Sequence, residues 1–318
     1  APCSLSVPVV KRMREALFTC WSDDVIIDSL APRFLKLTFQ VLGRFRSWVS
    51  LMVVDSAQQQ QQQQGGATFV PSSAELVMLA LDVEKLSTIV DSELRLRVVD
   101  VIASCANQTS DASTAKEGEQ KVVEGVEMAL GEAVRPVKEM VVVTWQSVTS
   151  RLTALCVIQL QAVKGITANY RMTNKPAPTS ASPFVPKILA PLADFTKDWE
   201  AKVPLSVGED WKIKVLVEVT EKYRDTILEL VTTVRQMDEA LKKRRAKKAG
   251  NKNSGLSDAD KILLQLLLDV RAFGRELKTF GLDADSCEAY RSLAKEVAPA
   301  ERFETENKNT AGVIDKKD

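Results

Sequence analysis

Apolar residues recur at steps of three and four along most of the chain, a spacing that predicts helices. Val9, Val10, Met13 and Leu17 predict a short helix over residues 9–20. Ser22 stands where a second helix would be capped, with Asp23 and Asp24 at the positive end of its dipole. That helix is expected to reach about Val54, with a stripe of Leu30, Phe34, Leu37, Val41, Phe45 and Trp48. After Pro71-Ser72-Ser73, the residues Leu76, Leu79, Val83, Leu86 and Val90 predict a helix continuing to Cys105 with a break near Asp91. Helical spacing returns from Gln120 to Tyr170, where Pro136 predicts a kink or a fresh start. Val141-Val142-Val143 alone would suit a strand, but its flanks suit a helix. Ile188–Val203 reads as a helix of moderate length with Pro191 in its first turn. Val215, Val219, Tyr223, Ile227, Leu230, Val234, Met237 and Leu241 make the clearest stripe, in a helix expected from Val207-Gly208 to about Lys248. Leu256-Ser257-Asp258-Ala259-Asp260 reads as a cap and an acidic first turn. The helix after it covers Ile262–Phe280 and stops at Gly281, and Asp285–Val297 is a last short helix.

The stretches between these patterns set the expected organisation. Gln58 to Gln64 is a glutamine tract followed by Gly65-Gly66, the composition of a flexible linker. Asn107–Lys116 and Ala249–Gly255 are polar and loop-like, and Thr173–Pro186 (TNKPAPTSASPFVP) is too rich in proline for a helix interior. The expected segments are an N-terminal helical segment at 1–56, a Gln/Gly-rich linker at 57–73 and a helical segment at 74–172. A proline-rich connector follows at 173–186, then a C-terminal helical bundle at 187–298 and a charged, disordered tail at 299–318. The pattern holds no strand-and-turn signal, so the expected fold class is all-α with no β-sheet, built from roughly seven to nine helices. Packed bundles and separate helices on flexible linkers fit it almost equally.

Composition narrows the chemistry. The 318 residues carry a net charge of +1 and are 45% apolar with 6% aromatic residues, so no global charge draws the chain to nucleic acid or an anionic membrane. There is no histidine. That removes the commonest general base and metal ligand, and with it Ser-His-Asp or Cys-His hydrolysis, His-ligated zinc and His-ligated haem. Carboxylate and lysine chemistry stay open. Cys3, Cys20, Cys105, Cys156 and Cys287 are far apart in sequence, which suits inert thiols in a reducing compartment rather than a metal or redox pair. Asn107-Gln108-Thr109 fits a glycosylation sequon, a signal with meaning only in a secreted chain. No dinucleotide, phosphate-loop or calcium-loop motif occurs, and no catalytic, cofactor-binding or metal-binding residue is assigned. The carboxylate pairs Asp23-Asp24 and Glu209-Asp210, like Asp258 and Asp260, sit at expected helix starts, where the dipole accounts for them. Met140–Gln161 is the most apolar stretch, but Thr144, Gln146, Ser147 and Arg151 interrupt it, so no span of about 20 apolar residues is expected. The chain opens at Ala1 with no signal-peptide pattern and is expected to be a piece of something longer, soluble or peripheral.

The strongest charge block is Lys242-Lys243-Arg244-Arg245-Ala246-Lys247-Lys248. As a candidate interaction patch it would comprise Lys242, Lys243, Arg244, Arg245, Lys247 and Lys248, serving anionic lipid, nuclear import or nucleic acid. The bland alternative is a solvated helix end, and the lack of interleaved aromatics weakens single-strand binding.

Three segments carry a resemblance to one family. They are Cys20-Trp21-Ser22-Asp23-Asp24 with Leu30, Arg33, Leu35 and Leu37; Tyr170-Arg171-Met172-Thr173-Asn174-Lys175 with Pro178-Thr179, Ala181-Ser182 and Leu189-Ala190-Pro191-Leu192; and Leu256-Ser257-Asp258-Ala259-Asp260-Lys261-Ile262 with Leu268-Asp269-Val270. In this order they resemble the C-terminal part of subunit two of the conserved oligomeric Golgi complex, in a divergent plant- or protist-like form. The resemblance runs from near residue 17 to near residue 298. It implies a helical-rod tethering protein, an elongated stack of helical bundles without catalytic residues or cofactors. It implies a peripheral place at the cytosolic face of the Golgi, in vesicle tethering, intra-Golgi retrograde transport and Golgi organisation. The implied partners are subunits one, three and four of the complex, with vesicle fusion proteins and small GTPases beyond them, and no small-molecule substrate. The alternative drawn from the residues is a helical nuclear or nucleic-acid-binding protein using Lys242 to Lys248, although nucleic acid is not the expected partner.

Overall fold

The computed structural model describes residues 5–58, 72–107, 115–173, 175–203, 207–208, 210–246 and 256–304, and among these it contains helices and no strand. The chain divides into two compact units, Ala1–Arg151 with Ala201–Gly208, and Leu152–Glu200 with Glu209–Asp318.

The first unit holds α1 (Pro8–Cys20), α2 (Ala31–Gln58), α3 (Ser73–Ile89), α4 (Arg95–Asn107) and most of α5 (Ala115–Gln159). Proline suits the start of α1 because its missing N–H has no partner there in any helix. The cap itself comes from a distant helix: the carboxylate of Asp82 on α3 accepts the N–H groups of Ser6 at 2.7 Å and Val7 at 2.6 Å. α1 buries Val10, Met13 and Leu17. After it the chain turns at Trp21, whose side chain is fully buried. The Trp21 indole N–H donates to Thr38 Oγ1 at 2.9 Å, and Thr38 in turn donates to the Phe34 carbonyl. Arg97 Nε on α4 donates to the Trp21 carbonyl at 2.9 Å while its guanidinium pairs with Asp23.

This joint overturns two expectations. Ser22 caps no helix; its hydroxyl closes the end of α1 on the Thr19 carbonyl, and α2 begins only at Ala31. Asp23 answers Arg97 rather than a helix dipole. The stripe expected on α2 holds in part: Phe45 is buried and Phe34, Val41 and Trp48 pack half-buried against the core, but Ala31, Thr38, Leu42, Val49 and Val53 are buried as well and Leu37 is 41% exposed. Thr38 turns inward because it takes the indole hydrogen bond, and a count of apolar positions cannot see that.

In α3 the expected Leu76, Leu79, Val83, Leu86 and Val90 are all buried. Ser72 and Glu75 form a reciprocal capping box at its start, and these hydrogen bonds hold the Glu75 carboxyl below its ordinary range. The break expected near Asp91 is a π-helical turn over Val90–Leu94. It aims Asp91 at Lys138 on α5, 2.5 Å away.

Pro136 neither ends α5 nor starts a new helix, since Val134, Val137, Met140 and Val141 on both sides of it are fixed in the core. One helix, within Gln120–Tyr170, is long and apolar enough to cross a membrane, against the expectation that no such stretch exists. Its apolar positions are divided between two cores: Leu130, Val134, Val137 and Val141 in the first unit, Leu152, Cys156 and Leu160 in the second.

The second unit contains the end of α5, α6 (Gly165–Tyr170), α7 (Val185–Ile188), α8 (Ala190–Trp199), α9 (Trp211–Ala246), α10 (Asp258–Thr279) and α11 (Glu288–Val297). The helix expected over Ile188–Val203 is split at Leu189, because Pro186 and Pro191 each require a first-turn position. α9 starts at Trp211 rather than Val207, and it buries Val215, Val219, Tyr223, Ile227, Val231 and Val234. Leu241 lies beyond that core and is exposed. α10 opens with a capping box between Ser257 and Asp260, as its sequence predicts. It closes at Gly281, φ 86°, where Leu282 N–H reaches the Leu277 carbonyl and Gly281 N–H the Lys278 carbonyl, both at 3.1 Å. Leu266, Val270, Phe273 and Leu277 of α10 are buried with Tyr223 and Ile227 of α9 and Leu293 and Val297 of α11.

The tail does not come free at Pro299. Residues 299–304 are helical, Phe303 is buried, and Arg271 on α10 pairs with Glu301 at 2.7 Å and Glu304 at 2.8 Å. The apolar pair Ala300 and Phe303 is what extends order past the proline. The glutamine tract beyond Gln58, residues 108–114 of the expected loop, Ala249–Gly255 and 305–318 lie outside the described residues.

Candidate functional site

Polar interior chemistry concentrates where the proline-rich connector lies along α10. Prolines at 176, 178 and 183 remove backbone donors and disfavour helical geometry in the residues before them, so the connector forms no helix until α7 begins at Val185. α10 supplies the partners. Asp258 Oδ2 accepts Met172 N–H at 3.0 Å, and Lys261 Nζ donates to the Lys175 carbonyl at 2.7 Å. Gln265 receives Tyr170 Oη on its oxygen at 2.9 Å and donates to the Ser180 carbonyl at 3.0 Å. Asp269 receives Ser182 N–H at 2.6 Å, Ser182 Oγ at 2.8 Å and Gln265 Nε2 at 2.8 Å. Positions 258, 261, 265 and 269 advance by three, four and four, which is one face of a helix. α10 therefore carries a polar stripe beside its apolar one, and the second and third segments of the resemblance are the two halves of this clasp.

The electrostatics follow from burial. The Asp269 side chain has no exposure, and burial pushes its carboxyl above the ordinary value although three hydrogen bonds pull it down. The same burial, reinforced by Asp269, raises Tyr170 and carries Tyr223 well above its usual range. The Tyr223 hydroxyl is buried without a hydrogen-bond partner. Elsewhere on α10, Tyr290 Oη donates to the Val270 carbonyl at 3.2 Å, and a Cβ on Gly274 would lie 2.2 Å from Tyr290 Oη. Asp269 offers nothing to solvent, since both its oxygens are occupied. It positions the connector. The clasp was legible only as an oddity, two polar residues at i and i+4 inside the run Leu264-Gln265-Leu266-Leu267-Leu268-Asp269.

The clasp also fixes the loop at its outer end. Met172 has φ 57° and is 88% exposed. Left-handed backbone costs a residue with a side chain about 1–2 kcal/mol. Thr173 Oγ1, bonded to the Asn169 carbonyl, and the Asp258 bond hold it there.

The basic run is only partly a patch. Lys242 closes an i,i+4 pair with Asp238 at 2.6 Å, which raises the lysine further, and it borders a cavity with Asp260 and Arg302. Lys243 is exposed at the end of α9, which continues through Arg244 and Arg245 to Ala246. Lys247 and Lys248 lie outside the described residues. The remaining carboxylates divide. Asp210 pairs with Lys214 at 2.8 Å ahead of α9, and that contact lowers it. Asp258 is committed to the clasp and Asp260 to the capping box, so the dipole alone does not account for them; Glu209 lies outside the described residues. Cys156 is buried and its thiol is pushed up to about 11; Cys20, Cys105 and Cys287 are free thiols as well. Among the described residues no group of three or more Cys, Asp or Glu side chains is arranged to hold a metal ion.

Comparison with known proteins covers nearly the same ground. The family described as COG complex component, COG2, C-terminal matches residues 2–270. The chain is similar to conserved oligomeric Golgi complex subunit 2 of Arabidopsis thaliana, 29% identical over 298 residues, which cover 91% of this chain and 38% of that protein. It is 26% identical over 309 residues to the Homo sapiens subunit 2, covering 91% and 42%. For the Drosophila melanogaster subunit 2 the identity is 24% over 275 residues, covering 83% and 36%. The chain thus spans about two-fifths of the length of the curated relatives it matches. No solved structure matches it.

Proposed function

The chain belongs to the family of C-terminal COG2 components of the conserved oligomeric Golgi complex, and we propose that it works there as a non-catalytic binding module. In this reading it serves vesicle tethering, intra-Golgi retrograde transport and Golgi organisation, from a peripheral position at the cytosolic face. Its partners are subunits one, three and four of the complex, with fusion proteins and small GTPases as further contacts. Residues 57–73 are a linker, 173–186 a connector, and 187–298 the bundle that the connector leads into.

The observation that carries the proposal is the family match across residues 2–270, which includes both halves of the clasp. The geometry supports it: the clasp spends its buried polar groups on presenting a fixed loop with an exposed methionine, as a binding surface does. The nuclear or nucleic-acid reading is not favoured, because the family match accounts for the stretch that contains the basic run. The exposed end of α9 is proposed instead as an incidental solvated terminus.

A pull-down from cytosol with residues 1–318 as bait tests this, beside a bait with Lys242–Lys248 neutralised. Both baits are expected to recover other subunits of the Golgi complex. Nucleic acid or import factors recovered by the unaltered bait alone would sink the proposal.

A further inference from the structure

Ser182 is the one serine or threonine in the 318 residues that is followed by proline. It sits in the extended connector, where Pro183 holds it out of helical geometry. An extended, proline-flanked segment is the form in which a kinase cleft takes its substrate. Pro183 is exposed and Ser182 is half-buried, so the hydroxyl becomes free by opening one contact rather than by unfolding a helix. That contact is the centre of the clasp, with Ser182 Oγ 2.8 Å and Ser182 N 2.6 Å from the two oxygens of Asp269.

We propose that Ser182 is a phosphorylation site for a proline-directed protein kinase, and that the phosphate releases the connector from α10. In the reaction Ser182 Oγ forms a bond to the γ-phosphorus of ATP while the bond from that phosphorus to ADP breaks. The hydroxyl proton passes to the catalytic base of the kinase and on to solvent. The product cannot re-enter the clasp. A hydrogen bond of 2.8 Å leaves no room for a phosphoryl group between Ser182 and Asp269, and the phosphate brings about −1.5 to −2 charges toward an acidic side chain that has no exposure. Gln265 bonds to both Asp269 and the Ser180 carbonyl, so the release passes along the connector to Ser180. The inference goes beyond the tethering role and does not depend on which partner the chain meets.

The test treats the folded 318-residue chain with ATP and a proline-directed kinase, then maps the modification by mass spectrometry and amide exchange. One phosphate is expected on Ser182 and none in Ser182→Ala. Amides between Thr179 and Lys187 are expected to exchange at least about ten-fold faster, with the core of α9 and α10 unchanged. Phosphate is added after folding, so a variant that fails to fold does not obscure the result. Asp269→Asn, phosphorylated in the same way, is expected to regain part of the lost protection, because the like charge is gone. The proposal is overturned if a peptide of residues 176–188 is phosphorylated while the folded chain is not. Equal incorporation in Ser182→Ala, or a phosphorylated Ser182 with unchanged exchange, overturns it too.

Discussion

The turn at Trp21 and the connector at Ser182 solve one problem by different means. Each is a helix-free stretch pinned by side chains from helices distant in sequence. At the first, an indole wholly inside the core provides the hold, with one neutral hydrogen bond to Thr38 and an exposed ion pair from Arg97 to Asp23. At the second, a carboxylate with no exposure receives three donors, beside the buried Pro178 and Val185 of the connector. The first joint rests on area removed from water, which depends weakly on pH and charge. The second depends in addition on polar groups that have exchanged water for each other, and that part of the hold fails when one partner is missing. A charge-sensitive release therefore suits the connector and not the turn.

Each joint can be broken on its own. Trp21→Ala is expected to have the largest effect, about 3–5 kcal/mol lost in denaturant unfolding, because it empties a fully packed site. Asp269→Ala should follow at about 3 kcal/mol, since the Ser182 and Gln265 donors lose a buried acceptor. A loss under half that would mean that water replaces the carboxylate and that the clasp is not dry. Gly274→Ala should cost about 2 kcal/mol by pushing Tyr290 off the Val270 carbonyl, read as loss of tyrosine near-UV signal. Thr38→Val keeps the volume and removes the acceptor of the indole N–H. About 1 kcal/mol is expected, and no change would show that the turn needs only burial. The smallest effect is in the pH profile. Burial raises Asp269 in the folded chain above its unfolded value, so its stabilising contribution is complete below the unfolded pKa and lost as pH rises through the folded one. Measured against Asp269→Asn, the unaltered chain should lose stability upward from about pH 4; a flat difference would contradict the burial.

Legibility in the sequence tracked the range of the interaction. Ser257 with Asp260, Gly281 and the apolar positions of α3 follow from contacts within a turn or two. Ser22 looked like a cap because Asp23 and Asp24 follow it, yet Arg97, 74 residues beyond Asp23, claims the first of those carboxylates. The stripe of α2 was legible in Phe34, Val41, Phe45 and Trp48, but not the inward-facing Thr38, a polar residue. The order of residues 299–304 comes from the burial of Ala300 and Phe303, joined by Arg271, which no local pattern links to Glu301 and Glu304. The family resemblance marked the two halves of the clasp, but not that they touch.

By itself the sequence determined the helical character, the capped helix ends at Ser72, Ser257 and Gly281 and the absence of histidine chemistry, because spacing, caps and residue identity act within about one turn of the chain. Only the tertiary structure decided which polar residues are interior. Asp82 caps α1 from α3, and Asp269 holds a serine 87 positions away. Burying such a group is unfavourable until its partner arrives, and the partner comes from another part of the fold.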